Sequence, residues 1–498
     1  MKKDLGELSG GIMSNIKSLL FDNKTIKQTI LKNTFWLIVA EGVDKFLKLI
    51  LIIYAARILG ANEYGKFTFA FAFVSLFVVF SDLGLSNIIT REFSRQKEKE
   101  KEFSTIFTLK ILLNLGALIL ILAGSFFITP DFLIQKIIWI LGIYILVDSF
   151  GEIIFAFFRA RQKMEYESGI KTLKALAITG AGFFILFNFP SAKNLSYSYL
   201  FSSLIVLIFL VLFFHFKIHR LSFSYNKRIW QRFLAMSWPL ALAGVFGTIY
   251  TSIDSAMMGY WGQIAETGWY NAAYKIIGIP ITLMSLICYG FYPVLSKAFK
   301  ESKVKLQNIW SYQMEIMIFL AVPLVIGGIT LASRIISFVY GSSYIPSVLA
   351  FQILIIMVGI IFPSAAFSQT LLVSDQQKKV LYAGFWAAAT NVILNLILIP
   401  KFSLYGAAFT TVISYLLMFF LLLRYILKFT SVKFLSPKFL VDFAGAIFSG
   451  GIMYFIISQP IIYHLSVLFL ILTGIIVYSG FYFLYKKLVV RFVYLKLK

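Results

Sequence analysis

Fourteen apolar stretches, each long enough to cross a lipid bilayer, follow one another along the sequence with short connections between them. A transmembrane helix needs about 20 predominantly apolar residues. The chain has 59% hydrophobic and only 14% charged residues, whereas soluble domains are usually about 45–50% apolar and about 25% charged. The pattern therefore predicts an all-α integral membrane protein. The predicted helices lie near residues 33–58, 64–86, 104–128, 133–158, 168–189, 196–217, 234–261, 266–296, 307–331, 347–373, 379–399, 404–427, 439–457 and 463–485.

The basic residues indicate how these helices are oriented. With the N-terminus placed inside, 36 of the 46 Lys and Arg residues fall on the cytoplasmic side and six on the outer side. Cytoplasmic loops of membrane proteins carry such an excess of positive charge. We therefore expect both termini in the cytoplasm, and we attribute the net charge of +24 to membrane orientation rather than to a nucleic-acid partner.

The N-terminal tail has its own pattern. Residues 1–30 contain no apolar segment followed by a small-residue cleavage site, so a cleaved signal peptide is not expected. A short amphipathic helix on the inner membrane surface would explain the spacing of its apolar residues, and a partly ordered tail is the alternative. These residues are Leu5, Leu8, Ile12, Ile16 and Leu19.

A short motif recurs in the two halves of the chain. The sequence EYGKF begins at Glu63 and opens the second predicted helix, and ETGWY begins at Glu266 and opens the eighth. Six helices separate the copies, so the repeat keeps its orientation, as in transporters built from parallel repeats. We predict two pseudo-symmetric six-helix bundles plus a C-terminal helix pair. The domains would be a cytoplasmic tail at 1–32, an N-terminal lobe at 33–217, a cytoplasmic linker at 218–233, a C-terminal lobe at 234–427, and helices 13 and 14 with the C-terminal tail at 428–498.

The first predicted helix carries the densest set of intramembrane charges. Four charged residues lie at offsets of 0, 3, 4 and 7 and therefore share one face of a helix. A charge at the bilayer centre costs at least about 2.5–3.5 kcal/mol and usually faces a cavity. The alternative is that these residues only pair with each other and hold helices together. They are Glu41, Asp44, Lys45 and Lys48.

Charges in other spans extend the pattern. Asp148, Glu152 and Arg159 fall on one face of the fourth helix, which they share with Phe155. For an amide pair in the eleventh helix, a packing contact between helices is the simpler interpretation. The further intramembrane polar residues are Asp254, Asn271, Lys275, Asn391 and Asn395.

Three basic residues near the ends of spans have a different interpretation. Arg57, Lys66 and Lys110 are close enough to the predicted helix ends for their long side chains to reach the membrane surface. We therefore expect these three to extend towards water.

Together the charges suggest a polar cavity with two functions. A cavity containing Lys45, Lys48, Lys275 and Arg159 would attract an anion, and a pyrophosphate suits it because charge-assisted bonds to phosphate are strong. Carboxylates in the same cavity would take up protons or bind Na⁺ and so couple transport to an ion gradient. The candidates for coupling are Glu41, Asp44, Asp148, Glu152 and Asp254, and Asn271, Asn391 and Asn395 would line the cavity.

Several motifs associated with enzymes or cofactors fail on inspection. The run from Gly60 to Phe67 approaches a phosphate-binding loop, but Phe67 stands where Ser or Thr must bind magnesium. His215 and His219 lie four residues apart without a nearby carboxylate or cysteine, so a metal site is not expected. Without a nucleophile–base pair or a long outer loop, the sequence favours a transporter without a cofactor over an enzyme.

The chain resembles the bacterial oligosaccharide flippases of the Wzx type, which belong to the multidrug/oligosaccharidyl-lipid/polysaccharide exporter superfamily. The resemblance covers about residues 30–430. It rests first on the run ARILG at Ala56–Gly60, on EYGKF, and on DLGL at Asp82–Leu85 with Arg91-Glu92. Looser matches are Trp238-Pro239, Asp254, YNAAYK at Tyr270–Lys275, Pro293, GSSY at Gly341–Tyr344, Asn391, Asn395, Pro400 and GAA at Gly406–Ala408.

This resemblance implies a fold like that of the multidrug exporters, with a V-shaped pair of six-helix lobes and alternating access. The implied substrate is a polyprenyl-pyrophosphate-linked oligosaccharide, moved from the inner to the outer leaflet of a bacterial cell membrane. The implied partners are a polysaccharide polymerase and chain-length machinery. The basic cavity residues of the family correspond to Lys45, Lys48 and Lys275, and Arg57 matches the motif. A multidrug or cation antiporter of the same superfamily and, less well supported, a membrane glycan polymerase are the alternatives.

Overall fold

The computed structural model of the chain describes residues 26–496, and these residues form α-helices and two short 3-10 segments. The predicted amphipathic helix at residues 5–19 lies outside the described part. The helices are α1 (Ile26–Asp82), α2 (Leu85–Arg95), α3 (Phe103–Ile128), α4 (Phe132–Ala160), α5 (Met164–Asn188), α6 (Ala192–Lys217), α7 (Lys227–Tyr260), α8 (Ile264–Glu301), α9 (Lys303–Tyr340), α10 (Ser347–Val373), α11 (Gln377–Phe429), α12 (Pro437–Ile457), α13 (Pro460–Tyr463) and α14 (Val467–Lys496); the 3-10 segments are Lys97–Glu102 and Ser342–Tyr344.

The predicted all-α membrane architecture is confirmed. Within residues 26–496, 12 helical stretches are long and apolar enough to cross a membrane. Two of the helices, α1 with 57 residues and α11 with 53, are each more than twice the length of about 20 residues that a bilayer requires. The backbone of α1 leaves helical geometry at Gly60 (φ 71°, ψ 171°), and that of α11 does so at Ser403 (φ 51°, ψ −132°). When α1 and α11 are each counted as two spans, one on either side of the break, the 12 stretches become fourteen. These correspond to the fourteen predicted helices.

The chain folds into two compact units. The first comprises the described residues up to Leu59 together with Ala70–Thr248, and the second comprises Gly60–Phe69 and the described residues from Ile249 onwards. The limits of these units reflect which residues pack together in space, and they do not coincide with the lobe boundaries inferred from the sequence repeat. The domain limits predicted from the repeat therefore remain a prediction.

Aromatic packing holds three helices of the first unit together. The ring of Phe103 on α3 lies 5.1 Å from that of Phe157 on α4 and 5.3 Å from that of Phe214 on α6. All three side chains are fully buried. Such tilted and edge-to-face contacts are favoured by the charge distribution of aromatic rings. They fix the position of α4, the helix that carries Glu152 and Arg159.

The segment predicted as a linker between lobes, 218–233, is attached to the first unit. Ser222 donates a hydrogen bond to Ser104 (3.1 Å), and the indole N–H of Trp230 donates to the carbonyl of Thr105 (2.9 Å). The helix α7 already begins at Lys227. The second half of this segment is thus a helix, and its contacts tie it to the start of α3.

The repeated motif marks a close helix crossing inside the second unit. A Cβ atom at Gly65 would lie 1.9 Å from the carbonyl oxygen of Ile264, and a Cβ atom at Gly268 would lie 2.1 Å from that of Ala61. No side chain can be accommodated at such distances, so both positions require glycine. The glycines that the two motif copies share are therefore explained by the approach of two backbones.

Candidate functional site

Charged side chains of α1, α3, α4 and α5 form a group of neighbouring ion pairs in the first unit, the charged network. It contains six carboxylates and six basic groups, so the formal charges of these described residues cancel. The carboxylates are Glu41, Asp44, Asp82, Asp148, Glu152 and Glu167, and the basic residues are Lys45, Lys48, Lys110, Arg159, Lys171 and Lys174.

Glu152 and Arg159 are at the centre of this network. The guanidinium of Arg159 donates to Glu152 (2.8 Å) and, through two nitrogens, to both oxygens of Glu167 (2.8 and 2.5 Å). The ammonium of Lys171 lies 3.2 Å from Glu152, 3.0 Å from Glu167 and 3.7 Å from Glu41. Glu167 is fully buried, whereas the side chain of Glu152 is 34% exposed. Arg159 and Lys171 are thus both shared between the buried Glu167 and the accessible Glu152.

Two more pairs flank this centre. Lys174 donates to Asp148, and Lys48 donates to Asp44 at 2.9 Å. Lys48 remains 26% exposed, so its ammonium is reachable despite its partner.

Lys110 does not extend towards water, so that prediction is wrong. Its side chain is fully buried, and its ammonium donates to Asp82 (2.7 Å) and to the hydroxyl of Ser149 (2.8 Å). Asp82 also accepts a hydrogen bond from Ser86 (2.7 Å) in the first turn of α2. Because the surrounding helices enclose position 110 and supply a carboxylate, the ammonium is stabilised inside instead of at the surface.

A cavity of about 540 Å³ opens beside these pairs in the first unit. Four predicted site residues line it: Lys48, Asp148, Glu152 and Arg159. Its volume falls in the usual range of ligand sites, about 300–1,000 Å³. The polar part of its lining also includes Asp82, Tyr144 and the hydroxyl and amide groups of Ser75, Ser86, Asn87 and Ser149.

Lys45 and Arg57 lie elsewhere. Lys45 is 57% exposed, outside the cavity lining, and its closest approach to Glu41 is 3.9 Å. Arg57 is also exposed. Their roles in binding remain predictions, as do those of the other site residues.

Sequence reasoning missed five members of the network, namely Asp82, Lys110 and three residues of α5. Glu167, Lys171 and Lys174 lie on α5, which begins at Met164, earlier than the predicted start at residue 168. Lys171 and Lys174 fall in the first two turns of that predicted helix and were counted among the cytoplasmic basic residues. The spacing of 0, 4 and 7 places all three α5 residues on one helix face, and this signal would have identified them as a third charged stripe.

Asp254 belongs to a separate polar site, which lies in the second unit. Its carboxylate is 5% exposed and accepts hydrogen bonds from Tyr270 (2.5 Å), Thr411 (2.7 Å) and Asn395 (2.6 Å). The amide nitrogen of Asn395 also reaches the amide oxygen of Asn391 at 3.1 Å. Neutral donors from α8 and from both halves of α11 thus surround a buried carboxylate.

Two further predicted residues lie on α8 in the same unit. Asn271 is buried and donates to the hydroxyl of Ser255 (2.9 Å) and to the carbonyl of Thr267 (2.9 Å). Lys275, one turn later, is half-buried.

The second unit also contains an apolar cavity of about 460 Å³. Side chains of α9, α10, α11 and α12 form its walls, together with Phe434. Those of α9 and α10 include Ile318, Val325 and Pro363, and Phe439 and Phe443 come from α12.

Comparison with known sequences identifies related proteins. The family described as "Polysaccharide biosynthesis protein" matches residues 30–299. The "Probable low-salt glycan biosynthesis flippase Agl15" of Haloferax volcanii is 21% identical over 395 residues, which cover 77% of this chain and 80% of that protein. The "Capsular polysaccharide biosynthesis protein CapF" of Staphylococcus aureus is 22% identical over 400 residues, which cover 77% of this chain and 96% of that protein.

Solved structures show the same fold. The lipid II flippase MurJ in an inward closed conformation superposes with a TM-score of 0.77 at 17% identity, covering 92% of this chain and 100% of that chain. An inward-facing multidrug resistance transporter of the MATE family gives a TM-score of 0.65 at 14% identity, covering 79% and 98%. The predicted resemblance to multidrug exporters in fold is therefore confirmed. Since the family match spans more than half of the sequence, the chain belongs to the family of polysaccharide biosynthesis proteins.

Proposed function

We propose that the protein is a flippase that moves a polyprenyl-pyrophosphate-linked oligosaccharide from the cytoplasmic to the outer leaflet by alternating access. The observation that carries the proposal is the cavity in the first unit, where Lys48 and Arg159 line a space within membrane-spanning helices. Accessible cations at such depth suit a phosphate-bearing head group. The printed descriptions of the relatives, a glycan biosynthesis flippase and a capsular polysaccharide biosynthesis protein, support the same substrate class.

Uncharged groups of the cavity suit the sugar. Ser75, Ser86 and Asn87 offer hydroxyl and amide groups next to the charged network. Such groups both donate and accept hydrogen bonds, as sugar hydroxyls require.

Asp254 is the candidate site for a coupling cation, either H⁺ or Na⁺. The hydroxyl oxygens of Tyr270 and Thr411 lie within hydrogen-bond distance of the Asp254 carboxylate. The side-chain amide of Asn395, which also contacts this carboxylate, contains a third oxygen atom. Rotation of these groups would turn donors into oxygen ligands, which hard cations prefer. Glu41, Asp44, Asp148 and Glu152 are already engaged with basic groups, and for that reason Asp254 is preferred.

Transport into proteoliposomes tests the flippase proposal. A labelled, short-chain lipid-linked oligosaccharide would be added to one leaflet and its appearance in the other measured. We expect Lys48→Ala to lower the rate by about tenfold or more, because a charge-assisted contact to the phosphate is lost. Lys45→Ala should have a smaller effect, because Lys45 lies outside the cavity. Lys401→Ala, which changes an exposed lysine, is the matched control.

The same vesicles distinguish the runner-up function, a cation antiporter. The six carboxylates of the charged network are the observation that favours it. Transport of a lipophilic cationic dye without transport of the lipid-linked glycan would establish the antiporter and refute the flippase.

We also propose that both termini face the cytoplasm of a bacterial cell and that the exported glycan passes to a polymerase and its chain-length machinery. The asymmetric distribution of basic residues supports this orientation. A thiol introduced near either terminus should react with a membrane-impermeant reagent only in inverted vesicles.

A further inference from the structure

We infer that Glu152 occupies, in the empty transporter, the place of the substrate's phosphate, and that substrate binding displaces it and makes it take up a proton. This inference rests on the proposed function and adds to it a proton that Glu152 takes up with each substrate, separate from the driving cation assigned to Asp254.

Charge balance is the first step. The charged network is formally neutral in the described residues, with six carboxylates facing six basic groups. A pyrophosphate diester would add two negative charges to a space enclosed by membrane helices. Uncompensated charge there is costly, so binding requires that positive charge enter with the anion.

The geometry indicates that Glu152 is the carboxylate that the phosphate displaces. It lines the cavity and is 34% exposed, whereas Glu167, which shares the same cations, is fully buried. Glu167 binds Arg159 through two hydrogen bonds and Lys171 at 3.0 Å. Both cations therefore stay anchored when Glu152 leaves, and the freed side of Arg159, which lines the cavity, can then bind a phosphate oxygen. Asp148 is equally exposed, but its partner Lys174 has no second carboxylate at hydrogen-bond distance in the described contacts.

The surroundings of a displaced Glu152 favour its neutral form. From its own helix it faces Arg159, and from α5 it faces Lys171 and Glu167. Through Lys171 it also approaches Glu41 on α1. Lys110 on α3 is close enough to interact, but it is held at 2.7 Å by Asp82. Once phosphate engages Arg159, the lysines that remain near Glu152 are each paired with another carboxylate: Lys171 with Glu167, Lys110 with Asp82, and Lys174 with Asp148.

A carboxylate that has lost its cationic partner in a poorly solvated site binds a proton. The proton comes from water and forms an O–H bond on a carboxylate oxygen of Glu152. No other bond is made or broken. Release of the glycolipid reverses the exchange: Glu152 loses the proton and pairs again with Arg159 and Lys171.

Calorimetry on the full-length protein in lipid nanodiscs tests this inference. The probe is a short-chain prenyl-pyrophosphate-linked N-acetylglucosamine, a diester whose own charge does not change around neutral pH. Titrations in buffers of different ionisation enthalpy measure protons taken up on binding. We expect uptake of about one proton by the wild type and weaker binding as the pH rises.

Glu152→Gln separates this role from a structural one. We expect the variant to bind the probe roughly tenfold tighter at alkaline pH and without proton uptake, because the competing charge is absent. Glu301→Gln, which alters an exposed carboxylate on α8, is the matched control and should behave as the wild type.

The outcomes are distinct. Wild-type binding without proton uptake, weaker binding by Glu152→Gln, or unchanged uptake in that variant would each overturn the inference and leave the flippase proposal standing. Failure of the wild type to bind the probe at all would refute the proposed function itself. If Glu152→Gln does not fold, the proton count of the wild type alone decides.

Discussion

At the scale of single residues, the contrast between Lys45 and Lys110 shows that depth along a helix does not set the environment of a charge. Lys45 lies in the middle of a predicted span but is 57% exposed, and Lys110 lies near the start of one but is fully buried. The difference arises from neighbouring helices. They enclose Lys110 and provide Asp82 and Ser149 as partners.

Removing the ammonium of Lys110 should therefore destabilise the protein. In Lys110→Ala the carboxylate of Asp82 loses its cationic partner, and breaking a buried pair in this way costs about 3–5 kcal/mol. A lowered midpoint of thermal unfolding in detergent is the expected result. Lys110→Ala combined with Asp82→Asn should recover part of the loss. An unchanged midpoint in the single variant would mean that the pair contributes little.

At the scale of elements, the glycines of the repeated motif determine how closely two helices approach. Gly65→Ala or Gly268→Ala would place a methyl group within 2.1 Å of a backbone carbonyl oxygen. The helices must then move apart, at a cost of typically about 1–3 kcal/mol. We expect a lower unfolding temperature for each variant.

Gly116 on α3 provides the matched control, because a Cβ atom there would meet nothing within 4 Å. Gly116→Ala should leave stability unchanged or raise it slightly, since Ala is the better helix former. Equal behaviour of all three variants would contradict the proposed role of the crossing.

The connection between α6 and α7 contains a pH-sensitive contact. His219 lies 5.7 Å from the rings of both Phe103 and Phe157. Burial, followed by the nearby Arg161 guanidinium, lowers the pKa of His219 below its ordinary value of 6.5. In the unfolded chain the same imidazole titrates at its ordinary pKa, so it binds a proton first as the pH falls.

Stability should consequently decrease as the pH drops through about 6.5 towards the lower pKa of the folded state. The unfolding midpoint of the wild type, measured between neutral and mildly acidic pH, should fall more steeply than that of His219→Gln. Parallel curves for the two proteins would show that His219 makes no such contribution.

At the scale of the whole molecule, each unit contains its own polar site within membrane helices. The site in the first unit combines opposite charges around a cavity, and the site in the second places a buried carboxylate among neutral donors. Under the proposed function, the first would bind the substrate head group and the second the coupling cation.

This division of roles predicts a specific defect for Asp254→Asn. The variant should bind the lipid-linked probe as the wild type does, because the cavity of the first unit is unchanged. Transport driven by an imposed proton or sodium gradient should fall by about tenfold or more, because the cation site has lost its charge. Full gradient-dependent transport by Asp254→Asn in proteoliposomes would exclude this residue from coupling.

Local patterns were sufficient to predict the number and kind of helices. The bilayer requires apolar segments of a given length, and hydropathy reports that length residue by residue. Helical periodicity was likewise sufficient to place Glu41, Asp44, Lys45 and Lys48 on one face. Both properties depend only on residues within a few turns of each other.

The partners of each charge were decided by the tertiary structure. Glu152 on α4 meets Lys171 on α5, Lys110 on α3 meets Ser149 on α4, and Asp254 meets Asn395, which is 141 positions away in the sequence. Such pairings depend on how helices pack in space, and spacing along a single helix carries no information about them. The same reason explains why the sequence by itself indicated intramembrane charge, while the balance between cations and carboxylates emerged only once the helices were assembled.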